Sequence, residues 1–256
     1  MDLQTLSYSE ENGILQVRLN RPEKRNAINA QMLMDIERFF AEVAIRDFAK
    51  VVILSGEGKG FSAGTDLTSF GQIGDMTNPQ SARRFVKKAQ RAISEIENLE
   101  KVVIACVHGF AFGAALELIL ACDLRIASAE AVFNLPEVNV ALVPDLGGSQ
   151  RLPRIVGVGR AKELILTGKT INAVEAEKIG LINRVVPIED LNRAAIAMAE
   201  EVMDNSLAAL GLAKKNIDMS FGLSVPDGLE LASMAQSFLL SGEDFMKRMA
   251  ARLPRK

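Results

Sequence analysis

Residues 102–127 read VVIACVHGFAFGAALELILACDLRIA, and their apolar pattern sets the architecture of the chain. The uninterrupted apolar run over 102–107 is typical of a strand that is buried on both faces of a parallel sheet. A turn containing two glycines follows, and the small and apolar residues over 114–121 predict a short buried helix. A second apolar strand is predicted over 124–127. Strand, helix and strand in this order indicate a layered α/β core.

Strand and helix patterns also alternate on the N-terminal side of this stretch. The pattern predicts strands over 14–19 and 51–54, and helices over 30–44 and 80–99. After residue 187 the periodicity is helical only, through 191–212 and 229–240. We therefore expect a core over residues 1–195 and a helical C-terminal subdomain over residues 196–256.

Composition excludes several classes of function. The chain has 256 residues, 48% of them hydrophobic, and a formal net charge of −2 without a dense basic block, so a nucleic-acid partner is not expected. No apolar stretch reaches the roughly 20 residues that a membrane span requires, and we expect a cytoplasmic protein. The single histidine, His108, excludes a histidine-cluster metal site. Cys106 and Cys122 are expected to be buried free thiols.

Two glycine-containing turns contain candidate backbone donors. The amide of Ala114 opens the predicted helix, and the first amides of a helix lack partners within it, so this amide could bind a developing negative oxygen. Small residues here, including Gly113, are also explained by close packing of helix on sheet. Thr65, in the turn over 60–67, offers a second amide. Its neighbour Asp66 is equally typical of a residue that satisfies local amides in a turn.

Two carboxylates lie in apolar surroundings. Glu117 interrupts the apolar run over 114–121, where burial of a charge costs free energy unless a partner or a function compensates it. Glu117 is therefore either a catalytic carboxylate or half of a buried ion pair with Arg125 or Arg151. Glu137 follows the next apolar stretch and is either a second catalytic carboxylate or a solvated loop acid.

Separated segments of the chain resemble, in order, the signatures of the crotonase superfamily, which is the enoyl-CoA hydratase/isomerase family. These segments are 20–27, 61–67, 107–127, 135–151, 168–173 and 180–187. The resemblance extends over residues 12–250. It implies an α/β fold built as a spiral of ββα units with a C-terminal helical subdomain.

The same resemblance implies that the substrate is an acyl-coenzyme A thioester and that the reaction is hydration of a 2-enoyl-CoA. The amides of Thr65 and Ala114 would polarise the thioester carbonyl, and Glu117 and Glu137 would hold one water between them. This water would add to the β-carbon while Glu137 supplies the α-proton. No metal or redox cofactor is required, because coenzyme A enters as part of the substrate.

The resemblance also places the coenzyme A contacts. Lys24 and Arg25 are able to face phosphate, although ordinary solvated cations are the alternative. The other expected contacts are Ala27, Ala63, Gly64, Asp66, Leu67 and Gly113. Residues 67–78, rich in turn-forming residues, predict a flap beside them.

The presence of an aspartate at position 145 leaves the choice between hydration and isomerisation open. Hydratases of the family often have a small residue at this position, whereas some double-bond isomerases carry an aspartate. An isomerase needs one carboxylate to move a proton between the α- and γ-carbons, so Glu137 or Asp145 alone would suffice. An alternative of a different class is a non-catalytic member that binds coenzyme A or RNA, or acts in assembly.

Two further expectations follow from the resemblance. The helices after residue 195 resemble the trimerisation region of the family, which implies a homotrimer or a dimer of trimers. His108 stands where the family often has asparagine, and we interpret it as a structural residue that satisfies local hydrogen bonds.

Overall fold

The computed structural model describes residues 2–46, 49–68 and 77–252. Its main sheet has six strands in the order β1-β2-β3-β4-β6-β9, in which β1 and β2 pair antiparallel and all later neighbours pair parallel. The strands are β1 Leu6–Glu11, β2 Ile14–Leu19, β3 Val51–Gly56, β4 Val102–Val107, β6 Leu124–Ser128 and β9 Arg184–Val186. The strands predicted over 14–19, 51–54, 102–107 and 124–127 are confirmed.

A second, three-stranded sheet lies beside the first. It consists of β5 Phe110–Phe112, β7 Val132–Asn134 and β8 Ile171–Asn172. Strands β4 and β6 of the central sheet are each followed by a short strand, β5 or β7, and then by a helix. After β2 and β3, isolated bridges at Ile28, Ser62 and Thr65 stand where these short strands would lie. This repetition confirms the predicted spiral of ββα units.

The helices cover both faces of the main sheet. They are α1 Ala30–Ala44, α2 Pro79–Asn98, α3 Ala114–Leu120, α4 Gly148–Val156, α5 Val158–Thr167, α6 Ala173–Lys178, α7 Leu191–Met203, α8 Leu207–Met219, α9 Val225–Leu240 and α10 Glu243–Arg252. Local signals fix some of their ends. Asn29 caps α1 by accepting the amide of Met32, and Asn78 caps α2 in the same way. The helices predicted over 30–44 and 80–99 are confirmed, the second with each end shifted by one residue.

Strands β3 and β4 lie at the centre of the core. One face of the sheet packs on α1, α2 and α3, and the other face packs on Leu191, Ala195 and Met198 of α7. Both cysteines are buried free thiols, as expected. Because these strands are covered on both faces, their side chains form the continuous apolar runs that the sequence displays.

The C-terminal region is helical, as predicted. The run predicted over 191–212 is divided, because Ser206 caps α8 by accepting the amide of Ala209 and so begins a new helix. The predicted boundary at residue 195 lies inside α7, which packs on the sheet. The division into domains 1–195 and 196–256 stays a prediction.

Within the part of the chain that the structure describes, no helix combines the length and the apolarity that crossing a membrane demands.

Candidate active site

Buried Asn26 joins the loop after β2 to the turn after β3. Its side-chain amide nitrogen donates to the carbonyls of Glu57, Gly60 and Phe61 at 2.7, 3.1 and 3.0 Å, and its Oδ1 accepts the amide of Arg21 at 2.9 Å. Asn26 has a left-handed φ of 53°, which asparagine tolerates better than most residues. Sequence reasoning did not select this residue, although an asparagine in a tight turn was a signal for it.

The turn after β3 presents the backbone of Thr65. Gly64 accepts the amide of Ile28 at 2.8 Å, and Asp66 donates to the carbonyl of Ile28 at 2.9 Å. This bridge leaves the Thr65 amide itself without a partner among the described residues. A Cβ on Gly64, whose φ is 84°, would lie 2.3 Å from the carbonyl oxygen of Phe112 and 3.5 Å from the nitrogen of Ala114. The backbone beside Thr65 therefore packs directly against the start of α3.

The start of α3 provides the second predicted amide. Gly113 precedes the helix with φ 53° and ψ −123°, and its own amide donates to Asn134 at 3.0 Å. Ala114 is the first helical residue, and within residues 2–46, 49–68 and 77–252 its amide has no acceptor. The structure thus brings the two predicted donors, Thr65 and Ala114, into neighbouring backbone segments.

Glu117 lies one turn into α3 and is almost completely buried, with 1% of its surface exposed. Its Oε1 accepts the backbone amides of Leu146 and Gly148 at 2.8 and 2.7 Å. Arg125 donates to backbone carbonyls instead, and Arg151 is paired with another carboxylate. The alternative in which Glu117 forms a buried ion pair with either arginine is therefore wrong.

Burial controls the protonation of Glu117. Burial is the main cause that raises the pKa of Glu117 to about 8, the nearby carboxylates of Glu137 and Asp145 act in the same direction, and the amides of Gly148 and Leu146 partly oppose them. A carboxyl group with such a pKa can hold a proton at neutral pH. This is the property that a general acid or base needs in order to exchange protons near neutrality.

Glu137 lies in the 3-10 turn Glu137–Val140, which follows β7, and its carboxylate faces the start of α3. A Cβ on Gly113 would lie 2.8 Å from Glu137 Oε1. Glu137 Oε2 is buried and has no hydrogen-bond partner among the described residues. Burial, and secondarily the charge of Asp145, raises the pKa of Glu137. The carboxylate of Glu137 is therefore not the solvated loop acid of the alternative interpretation.

Asp145 completes a cluster of three carboxylates. Its side chain is half-buried, which raises its pKa, and its charge acts on both Glu117 and Glu137. Its main-chain carbonyl accepts a hydrogen bond from Gln90 of α2 at 2.7 Å. All three predicted catalytic carboxylates thus lie close enough to influence one another.

The predicted coenzyme A contacts lie on two adjoining loops. Lys24 and Arg25 are exposed on the 3-10 turn Pro22–Lys24 and just after it, and the carbonyl of Arg25 accepts the amide of Ala63 at 3.0 Å. Ala27 follows them, and Leu67 is exposed on the neighbouring loop. Of the predicted flap over 67–78, residues 69–76 lie outside the described residues.

The side chains of Asp66 and His108 form hydrogen bonds with other groups of the protein. The Asp66 carboxylate accepts hydrogen bonds from both terminal nitrogens of Arg21 at 3.1 Å and from the Thr68 hydroxyl at 2.6 Å. Its geometry matches the alternative role of satisfying local groups. His108 Nε2 is 2.9 Å from the carbonyl oxygen of Gly58, in line with its structural interpretation.

Comparison with known proteins identifies a family that is similar to this chain over most of its length. A sequence model of the family described as enoyl-CoA hydratase/isomerase matches residues 9–253. The chain is 38% identical over 250 residues to a probable mitochondrial enoyl-CoA hydratase 2 of Arabidopsis thaliana, covering 97% of this chain and 81% of the relative. It is 36% identical over 252 residues to the short-chain-enoyl-CoA hydratase of Clostridium acetobutylicum, covering 98% and 95%.

A solved structure agrees with the sequence relatives. The crystal structure of an enoyl-CoA hydratase from Bacillus anthracis superimposes with a TM-score of 0.91 at 34% identity, covering 97% of this chain and 95% of that one. The match includes both sheets and the C-terminal helices, since it spans nearly the whole of each chain. Together with the paired glutamates beside two unpartnered amides, these similarities establish that the chain belongs to the enoyl-CoA hydratase/isomerase family.

Proposed function

We propose that this protein is an enoyl-CoA hydratase, which adds water across the 2,3-double bond of an acyl-coenzyme A thioester. The observation that carries the proposal is that Glu117 lies in the first turn of α3 while the carboxylate of Glu137 faces the start of that helix. Both anchoring amides bind Oε1 of Glu117, so Oε2 remains to bind a water. Glu137 Oε2 is buried without a partner among the described residues, so it too can accept a hydrogen bond from that water.

In the proposed mechanism the amides of Thr65 and Ala114 donate hydrogen bonds to the thioester oxygen, which gains negative charge as the enolate forms. The water held between the glutamates gives a proton to Glu117 while its oxygen bonds to the β-carbon. Glu137 then gives a proton to the α-carbon, and the carbonyl is restored. The net change is addition of one H and one OH, which balances the reaction.

This mechanism requires one proton and one negative charge on the glutamate pair. Burial raises the pKa of both glutamates, and ionisation of one disfavours ionisation of the other. A singly protonated pair is therefore the favoured state near neutral pH. Because the water lies between the two carboxyl groups, a proton held by Glu117 can pass to Glu137 before the double bond is attacked.

The names of the relatives support the choice of substrate and reaction. The proteins from Arabidopsis thaliana and Clostridium acetobutylicum that match nearly all of this chain are both named as enoyl-CoA hydratases. Lys24 and Arg25, exposed beside the loop that contains Thr65, are proposed to bind coenzyme A phosphates.

One observation favours a second candidate, a double-bond isomerase. Asp145 belongs to the same carboxylate cluster and raises the pKa of both glutamates. A single carboxylate, either Glu137 or Asp145, would be enough to carry a proton from the α- to the γ-carbon over the same pair of amides. We prefer hydration to isomerisation because hydration gives a role to both buried glutamates, whereas isomerisation needs only one carboxylate.

The decisive assay compares crotonyl-CoA and 3-hexenoyl-CoA as substrates. We expect wild type to hydrate crotonyl-CoA, and Glu117→Gln and Glu137→Gln each to lower kcat for that reaction strongly. Isomerisation of 3-hexenoyl-CoA that persists in Glu117→Gln, but falls in Glu137→Gln or Asp145→Ala, would instead identify an isomerase. Inertness toward both thioesters in wild type would indicate either a different acyl group or the non-catalytic alternative.

We also propose that the chain assembles as a homotrimer or a dimer of trimers through its C-terminal helices. Helix α9 has no buried residue, and Val225, Leu229 and Phe238 are 76%, 66% and 68% exposed on it. Apolar side chains exposed in such density are typical of a surface that associates with another protein. Light scattering tests this proposal, and a monomeric mass would contradict it. The cytoplasmic location stays a prediction, which cell fractionation would test.

A further inference from the structure

A hydrogen-bonded chain links Gln90 on α2 to Glu117 on α3. Gln90 Nε2 donates to the carbonyl oxygen of Asp145 at 2.7 Å. That carbonyl belongs to the same peptide group as the amide of Leu146, which donates to Glu117 Oε1 at 2.8 Å. A single rigid peptide plane therefore accepts from Gln90 on one side and donates to Glu117 on the other.

We propose that Gln90 is a positioning residue for Glu117, acting through the peptide group that joins Asp145 to Leu146. A hydrogen bond to a peptide carbonyl polarises the group and makes its N–H a stronger donor. The same bond also fixes the rotation of the peptide plane, and so the direction in which the Leu146 amide points. Gln90 thereby helps to hold Glu117 in the orientation that the proposed hydratase function requires, and the inference rests on that function.

The surroundings of Gln90 hold both ends of this hydrogen-bonded chain in place. Its neighbours Ala89, Ala92 and Ile93 are buried, so this part of α2 is fixed on the core. The Gln90 side chain lines a cavity of about 280 Å³ between α2 and the loop over 144–148. Arg151 donates to the next carbonyl along, that of Leu146, at 2.9 Å. Two side chains thus hold two successive carbonyls of the loop whose amides bind Glu117.

The first test measures the titration of Glu117 by ¹³C NMR of protein labelled at the glutamate carboxyl carbons, with Glu117→Gln to assign the signal. In Gln90→Met we expect the midpoint to move upward by roughly a few tenths of a pH unit, because a weaker Leu146 donor stabilises the charged carboxylate less. Glu137, Asp145 and Arg151, the other charged groups around Glu117, are the same in every variant compared.

Gln150→Met is the matched control. Gln150 lines the same cavity, and its side chain forms no hydrogen bond with any described residue, so the Glu117 midpoint should not move. Gln90→Ala serves as a second variant if Gln90→Met folds poorly, and circular dichroism checks the fold of each. An unchanged Glu117 midpoint in a folded Gln90 variant would overturn the inference, even if its melting temperature fell.

The NMR titration needs no substrate, so it separates this inference from the proposed function. If wild type fails to hydrate any enoyl-CoA, the function is wrong while the link between Gln90 and Glu117 can still be measured. If wild type is active, we expect Gln90→Met to lower kcat for crotonyl-CoA several-fold with KM nearly unchanged. A rise in KM with unchanged kcat would contradict a positioning role.

Discussion

The backbone amide of Gly148 donates a 2.7 Å hydrogen bond to Oε1 of Glu117, across the contact between α4 and α3. Gly148 is the first residue of α4, so this amide has no partner within its own helix. The carboxylate thereby receives a donor that compensates part of the cost of its burial. A Cβ on Gly148 would lie 2.9 Å from the same oxygen and 2.9 Å from Cβ of Pro144. Only glycine therefore lets the backbone at this position come so close to the Glu117 carboxylate.

Gly148→Ala should therefore displace the Glu117 carboxylate. We expect kcat for crotonyl-CoA hydration to fall by about 100-fold, since a shift of about 1 Å in a catalytic group costs this much. Gly159→Ala is the matched control, because a Cβ there has no neighbour within 4 Å, and its kcat should stay near that of wild type. Wild-type kcat in Gly148→Ala would show that this contact does not position the carboxylate.

Glu117→Gln should stabilise the fold at alkaline pH. The pKa of Glu117 rises from 4.5 to about 8 on folding, so the folded state binds more protons than the unfolded state between these values. The free energy of unfolding of wild type must then fall as pH rises through this window. The neutral glutamine removes this penalty, so the variant should be the more stable protein at pH 8 by about 1–4 kcal/mol.

Urea unfolding at pH 5 and pH 8 measures this effect. The difference between Glu117→Gln and wild type should be larger at pH 8 than at pH 5. Glu230→Gln, at an exposed position of α9, is the control for the amide substitution. A difference that is the same at both pH values would mean that Glu117 ionises as readily in the folded protein as in the unfolded chain.

The Arg21–Asp66 ion pair should stabilise the loop that presents Thr65. The two side chains are 15% and 8% exposed. The Thr68 hydroxyl, and Arg21 after it, hold the pKa of Asp66 below its ordinary value of 3.8. A carboxyl group whose pKa is lowered on folding stabilises the fold above its unfolded pKa and loses this effect on acidification. Asp66→Asn should therefore lower the free energy of unfolding at pH 7 by about 2 kcal/mol.

The effect of Asp66→Asn should diminish as pH falls below 3.8, where the wild-type carboxylate also becomes protonated. Asp190→Asn provides a comparison, because the Arg193–Asp190 pair has side chains that are 81% and 38% exposed. An exposed pair of this kind contributes about 0.5 kcal/mol or less. Equal losses in the two variants at pH 7 would contradict the structural importance of the Arg21–Asp66 pair.

Elements with local signals were predictable from the sequence. Helix α1 was predicted with its correct bounds because the apolar face repeats at helical spacing. The buried strand β4 was evident because both of its faces are apolar. The polar residue Glu117 was evident for the opposite reason, as a carboxylate inside an apolar run.

Contacts between distant backbone and side-chain atoms were not predictable. Side-chain chemistry suggested Arg125 or Arg151 as the partner of Glu117. Its partners are instead the backbone amides of Leu146 and Gly148. Nearly every residue has such an amide, so the sequence does not indicate which ones Glu117 binds. Gln90 likewise resembles any polar residue beside the apolar face of a helix. Only the folded loop over 144–148 brings its side chain to the peptide group that binds Glu117.

The most direct test of the central claim, that Glu117 and Glu137 act as one unit on one water, is a double-mutant cycle on crotonyl-CoA hydration. We predict that Glu117→Gln, Glu137→Gln and the double variant have nearly the same low kcat, because residues that act together lose their effect together. If the double variant is instead slower than either single variant by the product of the two single losses, the glutamates act independently and the claim is wrong.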